Sequence, residues 1–458
     1  MAFTHYAVLI DNLDTDVLFF QTFGTKWIVL NSLKASSELL DQRGSNYADR
    51  PRFVMFEEMG WSPTLTWLRW GPKCHLHRKV LQPPFAKSKV KQYQAHQRRE
   101  ALILAKGVVD NPEDWMNCVR RFSVAVVLKI TYGLDVDSHT SPWIKLGEDS
   151  AEAVGKSGAP ASSLMDRFPA TRYLPSWLPF MERLRFAHTW RPAIQKITEL
   201  PFQAALELPA SVPSFVRSRM RARTAESPFT LSDIKGAAAT ILIAGNDTTS
   251  STLNLLVLYL LQNPGAQRRA QAEVDSVTAG GTRLPDFADL QRLPYLNLIL
   301  NETYRICPLS PLGIPHASIK DDVYQGRFIP AGTIVYPNVW AMNRDEKVYR
   351  KPELFWPERF ESRDKGGWGE PLPVGNFGFG RRICIGRNLA ENSLLIALAI
   401  LLATTEIGWP IGEDGEEERF EAEFCFRGQA IVLPFRASFI SRSEKLRDLL
   451  EQEIGGCQ

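Results

Sequence analysis

The sequence predicts a mainly helical chain with a small strand-rich lobe, an α+β fold. Three observations lead there. Residues 100–225 read as successive amphipathic helices, broken at Asn111-Pro112, Ser141-Pro142, Pro175 and Pro209. A longer helical pattern fills residues 232–263, between the cap candidates Thr230 and Ser232 and the breaker Pro264-Gly265. Strand-like text, rich in β-branched and aromatic residues or cut by turn residues, is confined to residues 16–31, 308–337 and 423–439.

Composition narrows the function classes. With 44% hydrophobic and 10% aromatic residues in 458, the chain can bury a large core, and a formal charge of +3 is too small to imply a nucleic-acid partner. The six cysteines (Cys74, Cys118, Cys307, Cys384, Cys425, Cys457) are scattered without a CxxC pair or zinc-like Cys/His spacing, which disfavours a disulfide framework and fits a reducing, intracellular compartment. Residues 1–14 hold neither an apolar run of ~20 residues nor a signal-peptide pattern, so the reading is one domain over residues 1–458 without an N-terminal membrane anchor. The longest wholly apolar run, residues 394–403, has the length of a core helix.

In chain order, residues 16–31 suit paired strands, and Asn31-Ser32 caps a helical pattern through Leu40. The run Arg69-Trp70-Gly71-Pro72-Lys73-Cys74-His75-Leu76-His77-Arg78-Lys79 is basic; taken by itself it suits a solvated face. Residues 167–179 concentrate aromatics and prolines. The long helix would span roughly 45 Å at 1.5 Å per residue. Its centre, Ala244-Gly245-Asn246-Asp247-Thr248-Thr249, is a run of mostly poor helix formers between strongly apolar stretches. Such small residues would leave room over a cofactor face, and Asp247 with Thr248 offers a carboxylate and a hydroxyl for passing protons.

The next helix, residues 294–306, sets Glu302 and Arg305 on the same row as Tyr295, Leu298 and Ile299, an apolar face. A buried pair there needs a further partner, and Arg359 in Trp356-Pro357-Glu358-Arg359-Phe360 is the natural one. Residues 308–337 read as short strands and turns, 413–418 as an acidic surface loop, and 423–439 as a terminal hairpin.

The chemistry centres on Phe377-Gly378-Phe379-Gly380-Arg381-Arg382-Ile383-Cys384-Ile385-Gly386, which runs into an apolar helix over residues 388–403. Cys384 reads as a metal ligand. Backbone N–H groups freed by Gly380 and Gly386, the positive end of the following helix and nearby Arg382 would all favour a thiolate. The glycines would let the backbone approach a flat cofactor, and Phe377 would shield the sulfur.

The spacing Phe-x-x-Gly-x-Arg-x-Cys-x-Gly resembles the haem-binding loop of the cytochrome P-450 family, whose axial thiolate helps O–O cleavage. Other segments carry the same resemblance: the long helix's centre is similar to the family's oxygen-activation motif, and Glu302-x-x-Arg305 with Pro357 to Phe360 is similar to its structural ion-pair elements. The Arg69 to Lys79 run resembles the helix under one haem edge. Arg78 matches a basic residue there, while Cys74 and His75 stand where members commonly carry Trp and a basic residue. Pro315-His316 resembles the position at which a His or Arg reaches a haem propionate; without the resemblance it is a satisfied surface histidine.

The resemblance runs from about residue 26 to 439 and implies the family's mostly helical fold. It implies haem b (iron protoporphyrin IX) held by Cys384, with Arg382, His316, Arg78, Phe377, Gly380 and Gly386 around it, and Asp247 and Thr248 as catalytic residues. The implied reaction inserts one oxygen atom from O2 into a small lipophilic organic substrate, such as a fungal terpenoid or polyketide. Electrons would come from NADPH through an NADPH–cytochrome reductase, docking on a basic surface that includes Lys73, Lys79, Arg381 and Arg387. An O2-independent isomerase or dehydratase, or a haem sensor, are the alternatives; intact Asp247 and Thr248 argue against both. Family members commonly sit at the endoplasmic reticulum by an anchor preceding the strand that here reads Lys26 to Leu30. The expectation for this chain is therefore weak membrane contact through residues 167–179, the family's channel-covering region.

Overall fold

The computed structural model describes residues 15–22, 24–61, 63–157, 163–426 and 428–456. Residues 1–14 and Cys457, both read above, lie outside them. The chain begins with strands β1 (Val17–Thr22) and β2 (Thr25–Leu30) and the short helices α1 (Leu33–Ser36) and α2 (Val54–Glu58). Then come α3 (Pro72–Leu81), α4 (Gln94–Asp110), α5 (Trp115–Tyr132), α6 (Pro142–Lys156), α7 (Leu164–Arg167), α8 (Glu182–Glu207) and α9 (Phe215–Ala222). The central helix α10 (Leu231–Gln262) leads into α11 (Pro264–Val277) and α12 (Pro294–Ile306). After β3 (His316–Ala317), β4 (Asp322–Tyr324), β5 (Arg327–Ile329), β6 (Ile334–Pro337) and α13 (Val339–Met342), the cysteine loop enters α14 (Arg387–Thr404). The chain closes with β7 (Thr405–Gly408), β8 (Phe424–Phe426), β9 (Ala430–Val432), β10 (Ser438–Ser441) and α15 (Glu444–Gly456). Among the described residues the architecture is mainly helical, with one four-stranded sheet and three two-stranded ribbons.

Helix α10 is the axis of the helical part. It lies along α5 and touches α8, α12 and α14, while α14 lies along α4. Their apolar faces merge in one core that includes Leu128, Phe122, Leu242, Leu256, Leu296 and Leu398. A Cβ on Gly245 would collide with the Val127 side chain, so glycine there sets how closely α10 approaches α5. The start of α10 is fixed by a capping box: the Thr230 hydroxyl accepts from the Asp233 N–H at 3.2 Å, and the Asp233 carboxylate accepts from the Thr230 N–H at 3.0 Å. That carboxylate also meets His77 at 2.9 Å and Lys73 at 3.1 Å, both on α3. Burial would raise its pKa, but these donors hold it well below the ordinary carboxylate range, so the join between α10 and α3 is charged.

The sheet lobe is built from the two ends of the chain's first 340 residues. Strands β1 and β2 form an antiparallel hairpin, β2 then pairs in parallel with β6 (Trp27↔Ile334), and β3 closes the sheet antiparallel to β6 (His316↔Val335). Its buried residues, Ile28, Leu30, Tyr47 and Val335 among them, form a core of their own that reaches Phe379 of the cysteine loop.

One expectation is corrected and two unanticipated features appear. Phe439 is not in a hairpin running from residue 423: the hairpin ends at Val432, and Phe439 lies on β10, which pairs with β7 (Phe439↔Ile407). The last helix, α15, was not anticipated; its polar face is tied to α4 by Arg98–Glu453 at 2.5 Å and Arg447–Asp110 at 3.1 Å. Pro192 and Pro201 lie inside α8 without ending it, because packing of Ile194, Ile197 and Phe202 in the core outweighs the hydrogen bonds the two rings remove. Among the described residues α14 alone is long and apolar enough to cross a membrane, and most of it is buried inside the fold.

Glu302, Arg305 and Arg359 form the expected buried triad. The Glu302 carboxylate accepts from Arg305 at 2.8 and 2.9 Å and from Arg359 at 2.9 Å, and also from the Trp356 N–H at 2.8 Å. Arg359 further donates to Glu370 and to the carbonyls of Arg350 and Leu354. Every guanidinium nitrogen of the two arginines has an acceptor, which is what lets three charged groups remain where none touches solvent. Glu302→Gln, which leaves two guanidiniums buried and underpaired, is expected to lower stability by about 3–5 kcal/mol. A urea midpoint unchanged from the parent would contradict that assignment.

Candidate active site

The loop before α14 places Cys384 at the mouth of the helix. Its N–H donates to the Phe377 carbonyl at 2.8 Å, which folds the loop back on itself, and Gly378 and Gly380 take φ of 75° and 51° to make the turns. The Cys384 side chain is exposed although protein surrounds it closely. Burial pushes the thiol pKa up, while the N–H groups of Gly386 and Arg387 and the charges of Arg387 and Arg78 pull it down. The sulfur therefore sits at the positive end of α14 with backbone donors aimed at it.

One glycine assignment needs correction. The N–H of Gly380 is not free for the sulfur: it donates to the Asp41 carboxylate at 2.6 Å, and a Cβ there would collide with the Leu40 carbonyl oxygen. Gly380 thus lets the loop press against the segment after α1. Gly386 has an ordinary φ of −80°, and a Cβ there would meet only Cys384 Sγ, at 3.9 Å. The Phe377 ring lies edge-on to Tyr304.

Arg382 also acts elsewhere than expected. It turns away from the sulfur and donates from Nε to the Ala48 carbonyl at 2.6 Å and from Nη2 to the Leu68 carbonyl at 2.7 Å, with its guanidinium over the Trp70 ring at 5.4 Å. There it joins Arg50, Arg78 and His316. Arg50, which sequence reasoning missed, donates to the carbonyls of Ile314 and Pro315 at 2.6 and 2.7 Å, and its buried Nε has no partner among the described residues. Burial and Arg382 depress the Arg50 pKa well below its ordinary value, the mark of a cation short of an anion. Arg78 donates to the Ile383 carbonyl at 3.3 Å. His316 is buried rather than on the surface, fixed through Nδ1 to the Tyr47 carbonyl at 2.7 Å; burial and Arg50 lower its pKa well below the usual imidazole value. The nearest carboxylate, Asp49, is occupied by Arg69 and by the N–H groups of Arg50 and Trp70. Cys74 is wholly buried beside the three arginines, and His75 stays outside, edge-on to Trp70 at 4.3 Å.

On the central helix, Ala244 is exposed although α10 crosses the core. The Thr248 hydroxyl donates to the Ala244 carbonyl at 2.7 Å and is not paired with Asp247. Burial pushes the Asp247 carboxyl up to about 6, and the one charge acting on it is Arg120 of α5, itself paired with Glu148 of α6 at 2.8 Å. The two residues are thus adjacent in sequence but held by different neighbours.

These residues fit a flat, iron-bearing group with an acidic edge. Cys384 offers an accessible sulfur with its donors in place, and the Arg50, Arg78, Arg382 and His316 cluster carries more positive charge, and one more orphan N–H, than its carboxylate can satisfy. Outside this site, the aromatics of residues 167–179 are not core: Tyr173 is 83% exposed and Trp177 75%, with Phe180 beside them at 78%.

Comparison with known proteins agrees with this geometry. The model of the family described as cytochrome P-450 matches residues 15–419. A cytochrome P-450 monooxygenase of Armillaria gallica is 35% identical over 96% of this chain and 88% of its own length, and one of Postia placenta is 34% identical over 95% and 84%. The tryptamine 4-monooxygenase of Psilocybe cyanescens is 32% identical over 94% and 87%.

The two glycines separate in experiment. Gly380→Ala, forced to φ of 51° against a carbonyl, is expected to cost about 1–3 kcal/mol, whereas Gly386→Ala should stay within about 0.5 kcal/mol. Equal thermal midpoints for the two variants would refute the contrast.

Proposed function

Because this chain belongs to the cytochrome P-450 family and is a monooxygenase, we propose that Cys384 holds the haem iron and that the rest of the chain serves that site as one domain. The observation that carries this is the exposed sulfur facing the N–H groups of Gly386 and Arg387 at the head of α14. Arg50, Arg78, Arg382 and His316 would hold the propionates: three guanidiniums and an imidazole kept neutral by burial match two carboxylates. The haem, when bound, supplies the activation of O2 with two electrons.

The chain's own part is to move protons and exclude water. Asp247, with its pKa raised to about 6, can both hold and release a proton near neutral pH. Thr248 Oγ keeps its lone pairs free while its O–H is given to Ala244, so it can accept a hydrogen bond on the side where Ala244 is exposed. Electrons come from NADPH through an NADPH–cytochrome reductase that docks on the cysteine side. Lys79 and Arg381 are exposed there and Arg387 donates to the Cys384 carbonyl, whereas Lys73 is partly neutralised by Asp233. The substrate is a small lipophilic secondary metabolite. Tyr173, Trp177 and Phe180, with Arg172 and Arg185 close in sequence, make a membrane-contact surface at the endoplasmic reticulum.

Cys384→Ala is expected to fold yet lose the red-shifted Soret band of the reduced carbon monoxide complex. A folded variant that kept the band would end the assignment. Thr248→Ala should keep that band but divert NADPH electrons, raising peroxide severalfold at the expense of product. Full coupling of NADPH to product in this variant would remove Thr248 from proton delivery.

A further inference from the structure

Four consecutive residues, 47–50, organise the anion-holding side of the site. The Tyr47 carbonyl accepts from His316 Nδ1 at 2.7 Å, and the Ala48 carbonyl accepts from Arg382 Nε at 2.6 Å. Asp49 makes an antiparallel bridge with Ala317, whose N–H donates to the Asp49 carbonyl at 2.9 Å. Arg50 follows, its guanidinium on the carbonyls of Ile314 and Pro315. One short segment therefore supplies or holds three of the four groups in the cluster.

The Asp49 side chain is only 8% exposed, and its charge acts on both Arg50 and Arg382. Yet none of its hydrogen bonds goes to a guanidinium of the cluster. Oδ1 accepts from the backbone N–H groups of Arg50 at 2.8 Å and Trp70 at 2.6 Å, and Oδ2 accepts from Arg69 Nη2 at 2.5 Å and Nε at 3.1 Å. Trp70, fixed by that bond, lies with its ring 5.4 Å from the Arg382 guanidinium, and Leu68 two residues earlier accepts from Arg382 Nη2 at 2.7 Å. A buried carboxylate among guanidiniums ordinarily takes one of them as a bidentate partner, and as a bare charge it opposes any incoming anion. Here four other donors occupy it. The contact it makes with Arg382 through Trp70 uses an aromatic face, which holds a cation without cancelling its charge.

We propose that Asp49 is a positioning residue for this cluster: it joins residues 47–50 to the turn before α3, keeping Arg50 and Arg382 in register while leaving their charge for the propionates. The proposal rests on the reading that the cluster holds the haem propionates.

The sign of the effect separates positioning from simple repulsion. Haem loss from the loaded protein to an excess of an apoglobin scavenger is followed in the Soret band, with haem b and with its dimethyl ester, whose esterified propionates carry no charge. Asp49→Ala unpairs the N–H groups of Arg50 and Trp70 and should speed the loss of haem b about tenfold, with loss of the ester near the parent rate. Asp49→Asn keeps an acceptor for those N–H groups and should lose haem b no more slowly than the parent. Slower loss of haem b from either variant makes Asp49 a repelling charge and overturns the proposal. So does an unchanged rate in Asp49→Ala, or in either variant an acceleration equal for both haems, which marks a general loosening of the sheet lobe. If the alanine variant does not fold, the asparagine variant decides by the same signs. A parent protein that loses haem b and the ester at one rate ends the propionate reading itself, and the proposal with it.

Discussion

One carboxylate, that of Glu302, holds two guanidiniums and a backbone N–H in an interior closed to bulk solvent. The contacts join α12 to the segment around Trp356 to Glu370, which has little regular structure of its own and leads directly into the cysteine loop. Short 3-10 turns and coil make few hydrogen bonds of their own, and the triad holds this segment in place, through Arg359 also at the carbonyls of Arg350 and Leu354. The surrounding core is apolar and non-directional; the triad supplies the direction.

A second constraint acts on the other edge of the same site. Three guanidiniums and a neutral imidazole are gathered from four distant parts of the chain: Arg50 after the first hairpin, Arg78 on α3, His316 on β3 and Arg382 in the cysteine loop. Each is anchored to backbone carbonyls rather than to carboxylates. Such anchoring fixes geometry without cancelling charge, so the cluster stays competent to bind an anion. Where a tryptophan on α3 is the family habit, Cys74 occupies little volume, and Trp70 packs on Arg382 from the preceding turn instead.

What the sequence made legible was whatever depends on neighbours along the chain. The cysteine loop, the cap and centre of α10, and the i,i+3 pair Glu302/Arg305 are all local patterns, and each was read at its place. Arg50 was not, because its meaning depends on carbonyls 264 and 265 residues away and on Arg382. Gly380 looked like part of the cofactor cradle, yet its neighbour is Leu40, a contact no spacing could announce. Pro192 and Pro201 lie where local propensity alone would end a helix, and burial of the flanking apolar residues carries α8 through them. Phe439 looked continuous with the hairpin before it, and its true partner is on the far side of the β8–β9 excursion.

The parallel pairing of β2 with β6 joins residues roughly 300 positions apart. A ribosome adding about 5–20 residues per second would present β6 some 15–60 s after β2. During that interval the β1–β2 hairpin has emerged with one edge, and the apolar side of Ile28 and Leu30, still waiting for its partner. Parallel pairing at such separation is slow to form even once both strands exist. The sheet lobe therefore cannot close before Pro337 has emerged, and until then the hairpin edge with Ile28 and Leu30 is the surface on which a chaperone would act.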